Sequence, residues 1–284
     1  MGADIRETDE VWARPQGVDL LVRLYREAGR EGERLPVVIS VHGGAWNHFD
    51  RTAGALYQRA LAQAGNLVVA IDFRQGPAHQ HPAASADIAA AVRWVRCNAV
   101  RLNADVTCIG LLGSSSGGHL ALFAGTQPNV DMHQGTPLAI DGAFVPRDDV
   151  DASVSYLVAL WPVSDPYLRY RYAKRAGIER LREAHERFFA DEAAMQAASV
   201  PRLVTAGEAT HLPPLLVVHP GEDGNVPLEI TFDLLRAWQY RRGYVEYAHF
   251  PDAPHAFGYR PSAASTRLQA LIIDFCARMR ALGT

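Results

Sequence analysis

Apolar and polar positions along this chain fall into two rhythms. Val18–Glu27 (VDLLVRLYRE) is apolar at roughly every second position, the pattern of a strand with one wet face. Pro36–Val41 (PVVISV) and Asn66–Phe73 (NLVVAIDF) are apolar, β-branched runs, as expected of strands covered on both sides. Between them, Thr52–Gly65 is rich in Ala and Leu at helical spacing and stops at a glycine. Ala83–Leu102 predicts a second helix, with Ile88, Val92, Val95 and Ala99 on one face. Val106–Leu112 predicts the next strand. This alternation implies parallel strands joined by right-handed crossovers, with helices on both faces of a mostly parallel central sheet.

The pattern loosens over Gln127–Asp151, which is rich in Pro, Gly and Asp and reads as a surface excursion. Ser153–Val163 predicts another strand. Ser164–His211 contains no strand pattern, and Ile178, Leu181, His185, Phe188 and Phe189 share a face there. The expectation is a small helical cap over 164–211, inserted into an α/β core formed by 1–163 and 212–284. Leu215–His219 and Val245–Phe250 predict the last strands, on either side of a helix over Leu228–Arg242. A closing helix carries Leu268, Leu271, Ile272, Phe275 and Met279.

Composition narrows the function classes. Of 284 residues, 48% are hydrophobic and 21% charged, which is ordinary for a globular protein. A net charge of -3 provides no field for nucleic acid or an anionic membrane. No apolar run approaches the ~20 residues of a membrane span. The start, MGADIRETDE, mixes charges and lacks the apolar centre of a secretory signal. Cys97, Cys108 and Cys276 are odd in number and widely spaced, which argues against a disulfide framework or zinc knuckle and favours a reducing cytoplasm.

The chemistry centres on Val106–Leu120 (VTCIGLLGSSSGGHL), an apolar strand, a sharp turn and a helical segment with G-x-S-x-G at the bend. That is the layout of a nucleophile elbow, and only Ser115 has glycines at both flanking positions. Serine needs a base, and His255 follows the last strand in a loop punctuated by prolines and a glycine. The base needs an acceptor. Asp223, after the preceding strand, fits the order Ser, Asp, His, with Glu222, Asp252 and Asp165 as rivals. Gly43, Gly44 and Ser116 are the expected oxyanion donors. Trp46, His48, Phe49, Trp161 and Tyr167 follow strand ends on the same side and are candidate pocket walls. His219 and His119 read as structural, and His42 as ordering the oxyanion loop. His79 and His81 lack a third partner at ligand spacing, so no metal is expected. Phe188 and Phe189 either line the pocket or pin the cap.

Four stretches carry a resemblance: His42–Trp46 (HGGAW), Asp72–Ala84 (DFRQGPAHQHPAA), Gly113–Ala121 (GSSSGGHLA), and Asp223–Pro227 (DGNVP) paired with Pro254–Phe257 (PHAF). Together they resemble the hormone-sensitive-lipase-like branch of the α/β-hydrolase fold, near bacterial carboxylesterases and feruloyl-esterase-like proteins. The resemblance implies a serine hydrolase that cleaves small to medium acyl or aryl esters through an acyl-enzyme on Ser115, without a cofactor. It implies Ser115, His255 and Asp223 as nucleophile, base and acid. The expected partner is a small-molecule ester, with no nucleic acid or membrane, and a homodimer is left open. Two alternatives are an arylformamidase-like amide hydrolase with the same triad, and a ligand carrier on a hydrolase fold. Two departures stand out. Ser116 replaces a frequent alanine, and Arg74-Gln75-Gly76-Pro77-Ala78 replaces a loop that usually reads like Arg-Leu-Ala-Pro-Glu. The short N-terminal segment suggests that the helical N-terminal cap of some members is missing, leaving 164–211 as the main lid.

Overall fold

The computed structural model describes residues 4–282, so Met1, Gly2 and Ala3 of the charged start and the last two residues of the 212–284 segment lie outside the described residues. Strands β1 (Ile5–Ala13), β2 (Leu20–Glu27) and β3 (Leu35–Val41) lead to helix α1 (Ala55–Gln63), then β4 (Leu67–Ile71) and α2 (Ala83–Cys97). Strand β5 (Ala104–Ser114) runs into α3 (Ser116–Thr126), and a short hairpin follows, β6 (Leu138–Ile140) and β7 (Ala143–Val145). After β8 (Tyr156–Leu160) come four helices, α4 (Pro166–Ala176), α5 (Glu179–Phe188), α6 (Glu192–Ala197) and α7 (Val200–Ala206). The chain closes with β9 (Leu215–Glu222), α8 (Leu228–Tyr240), β10 (Val245–Pro254) and α9 (Ala263–Leu282).

The strands form one sheet in the order β10-β9-β8-β5-β3-β4-β2-β1-β6-β7. Pairing is parallel from β10 to β4 and antiparallel from β4 to β7. Alternating side chains feed two cores. Val37, Ile39 and Val41 of β3 pack with α2, α3 and α8, whereas Val38 packs on the opposite face with α1 and α9. The parallel strands are buried on both sides, which explains their unbroken apolar runs.

Two regions differ from the sequence expectation. β1 precedes the first expected strand, and its alternation is obscured because four of its nine residues are charged. The excursion over 127–151 contains the hairpin β6–β7, which joins the sheet through Ala13 opposite Leu138. Its turn is Asp141-Gly142, both at positive φ (50° and 81°), as a two-residue hairpin requires. Among the described residues, no helix is long and apolar enough to cross a membrane.

Candidate active site

The carboxyl ends of β3, β5, β9 and β10 point the same way, because these strands are parallel. The loops that follow them therefore converge above one edge of the sheet. At the end of β5, Ser115 adopts φ 54°, ψ −120°, a strained conformation for a residue with a side chain. Close packing requires the flanking glycines: a Cβ on Gly113 would sit 2.2 Å from Gly117 O, and one on Gly117 2.2 Å from His42 O. Ser115 is anchored on both sides, its N–H donating to Leu160 O (2.8 Å) and its carbonyl accepting from Val163 N–H (3.1 Å). The three adjacent serines have separate partners. Ser114 Oγ lies 2.7 Å from Tyr259 Oη, and Ser116 Oγ accepts from Trp46 N–H at 3.1 Å. Ser115 Oγ lies 3.0 Å from His255 Nε2. The hydroxyl of Ser116, at a frequent alanine position, thus ties the His42–Trp46 loop to α3.

His255 Nδ1–H donates to Asp223 Oδ2 at 2.8 Å. The other carboxylate oxygen, Oδ1, accepts from the N–H groups of Asn225 (2.8 Å) and Val226 (2.9 Å). Burial alone would raise the Asp223 pKa, but the His255 contact and the two backbone donors outweigh it and lower the pKa. The rival carboxylates are placed otherwise. Asp165 caps α4 through Leu168 N–H and accepts from Ser199 Oγ, while Glu222 and Asp252 are exposed.

The loop after β3 is stiffened from beneath. His42 Nδ1–H donates to Gly43 O (2.7 Å), and its ring stacks on Phe73 with centroids 4.3 Å apart. Full burial lowers the His42 pKa to about 4, so the ring is neutral. Of the expected donors, Gly43 N–H is directed at Tyr259 Oη, 3.4 Å away. Gly44 and Ala45, not Gly43, line the cavity beside Ser115. Ser116 is the first residue of α3, where a backbone N–H has no intrahelical acceptor.

This cavity holds about 440 Å³ and is lined by Ser115 and His255 together with His48, Phe49, Trp161, Asn225 and Tyr259, and by Arg169, Arg180, Leu181 and Ala184 from α4 and α5. A larger groove, about 730 Å³, lies between α4, α7 and α8 and contains neither Ser115 nor His255. Of the five expected pocket walls, His48, Phe49 and Trp161 line the cavity, whereas Trp46 and Tyr167 do not. Trp46 is fully buried, its ring parallel to Phe188 at 5.3 Å and edge-on to Phe189 at 5.3 Å. The two phenylalanines therefore pin the 164–211 segment to the body. Tyr167 turns toward Arg171 and Arg202. His119 accepts from Trp46 Nε1–H (3.2 Å) on one side and donates to Ala198 O (2.9 Å) on the other. Burial lowers its pKa to about 4. His81 packs among Phe123, Phe188 and Phe189. The departed loop buttresses the site: Arg74 pairs with buried Asp87 (2.7 Å), and Gln75 Nε2–H donates to Phe49 O (3.1 Å). Sequence reasoning missed Arg169 and Arg180, whose helices carry no motif, and Tyr259, two residues past the PHAF stretch.

Comparison with known proteins places this arrangement. The family model described as BD-FAE matches residues 22–237. The chain belongs to the BD-FAE family. Among curated relatives, this BD-FAE chain is 28% identical to Esterase LipC of Mycobacterium tuberculosis over 247 residues, covering 84% of the chain and 57% of LipC. It is also 28% identical to the probable carboxylic ester hydrolase LipM of the same organism, covering 99% of the chain and 70% of LipM. The chain thus spans little more than half the length of LipC. Among solved structures, a fungal esterase from Rhizomucor miehei superposes with a TM-score of 0.77 at 20% identity, covering 100% of this chain and 87% of that one. An esterase from Pyrobaculum calidifontis gives 0.75 at 22% identity, covering 98% and 85%. The fold is that of the α/β-hydrolases, and the hormone-sensitive-lipase-like resemblance holds.

Proposed function

We propose that this BD-FAE chain is a carboxylesterase acting on small-molecule esters, with Ser115 as nucleophile, His255 as base and Asp223 as the acid that orients it. The observation that carries this reading is the continuous relay of Ser115 Oγ, His255 and Asp223, at 3.0 and 2.8 Å, opening into a cavity. Ser115 attacks the ester carbonyl while its proton passes to His255 Nε2, and the Asp223 carboxylate stabilises the resulting imidazolium. The carbonyl oxygen gains charge between the N–H groups of Gly44, Ala45 and Ser116. His255 returns the proton to the departing alcohol, and water then releases the acid from Ser115 by the same steps in reverse. The names of the curated relatives support ester chemistry over an amide hydrolase or a carrier. The three cysteines are free, which supports a cytoplasmic setting.

The test is hydrolysis of p-nitrophenyl butyrate. Wild type should turn it over, and Ser115→Ala should lose on the order of a millionfold in kcat. Activity surviving in a clean Ser115→Ala preparation would overturn the reading. Comparing phenyl acetate with formanilide at equal concentration separates ester from amide preference.

A further inference from the structure

The cavity contains a charge for which the proposed ester chemistry has no use. Arg169, on α4, is 1% exposed and lines the cavity beside Ser115 and His255. One of its nitrogens, Nη2, donates to Asn225 Oδ1 at 2.7 Å. Its Nε and Nη1 are buried and have no hydrogen-bond partner among the described residues. Buried guanidinium N–H groups are costly to leave unpaired, more so than neutral donors.

Its guanidinium lies over the Trp46 ring, 5.6 Å from the centroid, and no ion pair neutralises it among the described residues. No Asp or Glu lines the cavity among the described residues. The nearby carboxylate is Asp223, and its oxygens are engaged by His255, Asn225 N–H and Val226 N–H. A second guanidinium, Arg180 on α5, is exposed at the same cavity and forms no ion pair among the described residues. Burial foremost, with repulsion from Arg180, lowers the Arg169 pKa to about 9 despite an opposing pull from Asp223. Two like charges line one cavity with no carboxylate among its walls, a setting that favours an anion. Arginine also suits a carboxylate, to which a guanidinium N–H makes a charge-assisted hydrogen bond.

Building on the esterase reading, we infer that the substrate is an anionic ester whose free carboxylate is held by Arg169, with Arg180 drawing it in at the mouth. A half-ester of a dicarboxylic acid carries that charge on the acyl side, and an ester of a hydroxy acid carries it on the alcohol side.

Matched pairs test this. On the acyl side, 4-nitrophenyl hydrogen adipate is compared with 4-nitrophenyl methyl adipate. On the alcohol side, 4-butyryloxybenzoate is compared with its methyl ester. The readout is the ratio of kcat/KM, anionic over neutral, in wild type and in Arg169→Gln. Intrinsic reactivity cancels when the ratio is compared between variants. In at least one pair the ratio should fall about tenfold or more in Arg169→Gln. It should fall by a smaller factor in Arg180→Gln, and Arg169→Lys should retain part of it. The arm that responds identifies the side bearing the carboxylate. Ratios that stay the same in both pairs overturn the inference while leaving the esterase reading intact. If Arg169→Gln does not fold, Arg180→Gln and the wild-type ratio between 20 mM and 500 mM NaCl decide. A ratio that changes with neither overturns the inference. If wild type cleaves none of the four esters, the esterase reading fails first. Calorimetric binding of monomethyl adipate against dimethyl adipate to Ser115→Ala then decides the anion socket separately: tighter binding of the anion supports it, and equal or weaker binding overturns it.

Discussion

Asp223 has a side chain with no exposed surface and three hydrogen bonds converging on its two oxygens. An acceptor-only group is therefore required there. In Asp223→Asn an amide N–H must face either the backbone donors or His255 Nδ1–H, and the imidazole is driven toward the wrong tautomer. The expected outcome is a fall of about ten-thousandfold in kcat on p-nitrophenyl butyrate with KM nearly unchanged. A loss below about tenfold would move the acid elsewhere. At this scale the sequence was legible where geometry is local. Gly113 and Gly117 are dictated by backbone contacts a few residues apart or on the neighbouring strand, so they mark the elbow directly. Asp223 and His255 follow from strand ends, because a parallel sheet delivers all such ends to one side. Arg169 was not legible. Its neighbours in sequence are a run of charged and aromatic residues on a helix, and what distinguishes it is which of its nitrogens lack partners in three dimensions. Trp46 misled for a related reason: a large ring just after a strand end can face the cavity or the cap, and the chain's contacts at Phe188 and Phe189 choose the cap.

Helix α5 is held to the body at its last residue. Phe188 is fully buried and stacks parallel to Trp46 with 4° between the planes. His185, one turn earlier, donates from Nδ1 to Leu181 O and packs its ring against Trp46. Truncation in Phe188→Ala should cost about 3–5 kcal/mol, as other buried Phe deletions do. A urea midpoint read by circular dichroism checks this. Because Leu181, Ala184 and Arg180 line the cavity from the same helix, KM should rise more than kcat falls. An unchanged midpoint would mean that α5 is not secured there. Among elements, legibility depended on which face carries the signal. β3, β4 and β5 are apolar on both faces and plain in the sequence. β1 is concealed by its charges, since Asp9 pairs with Arg23 and Arg51, each at 2.7 Å, instead of facing a core. The β6–β7 hairpin did carry its sign, Asp141-Gly142 between LAI and AFV, but two three-residue strands are too short for periodicity to register.

The molecule as a whole buries histidines in a way that sets its acid limit. Burial, in each case the foremost cause, lowers the pKa of His42, His119 and His133 to about 4 and of His81 and His185 to about 3, against an ordinary 6.5. Between these values and 6.5 the unfolded chain binds more protons than the folded one, so stability rises with pH there. This contribution is fully present above about pH 6.5 and is lost as acid takes the pH down toward 4. Melting temperature should therefore be level from pH 8 to 7 and drop progressively from 6.5 to 4.5, and a flat profile to pH 5 would refute this account. One of these histidines has a further consequence. His119 stands one turn beyond Ser115, with Trp46 on one ring nitrogen and the carbonyl of residue 198 on the other. The segment between α6 and α7 and helix α3 are therefore joined by a shared rivet. A cap transplanted from a relative would have to present a carbonyl at the same point, or it would strand an imidazole N–H inside the protein. On the proposed esterase reading, substrate range in this chain is thus not a module free to be exchanged: the part proposed to select and the part proposed to react must be inherited together.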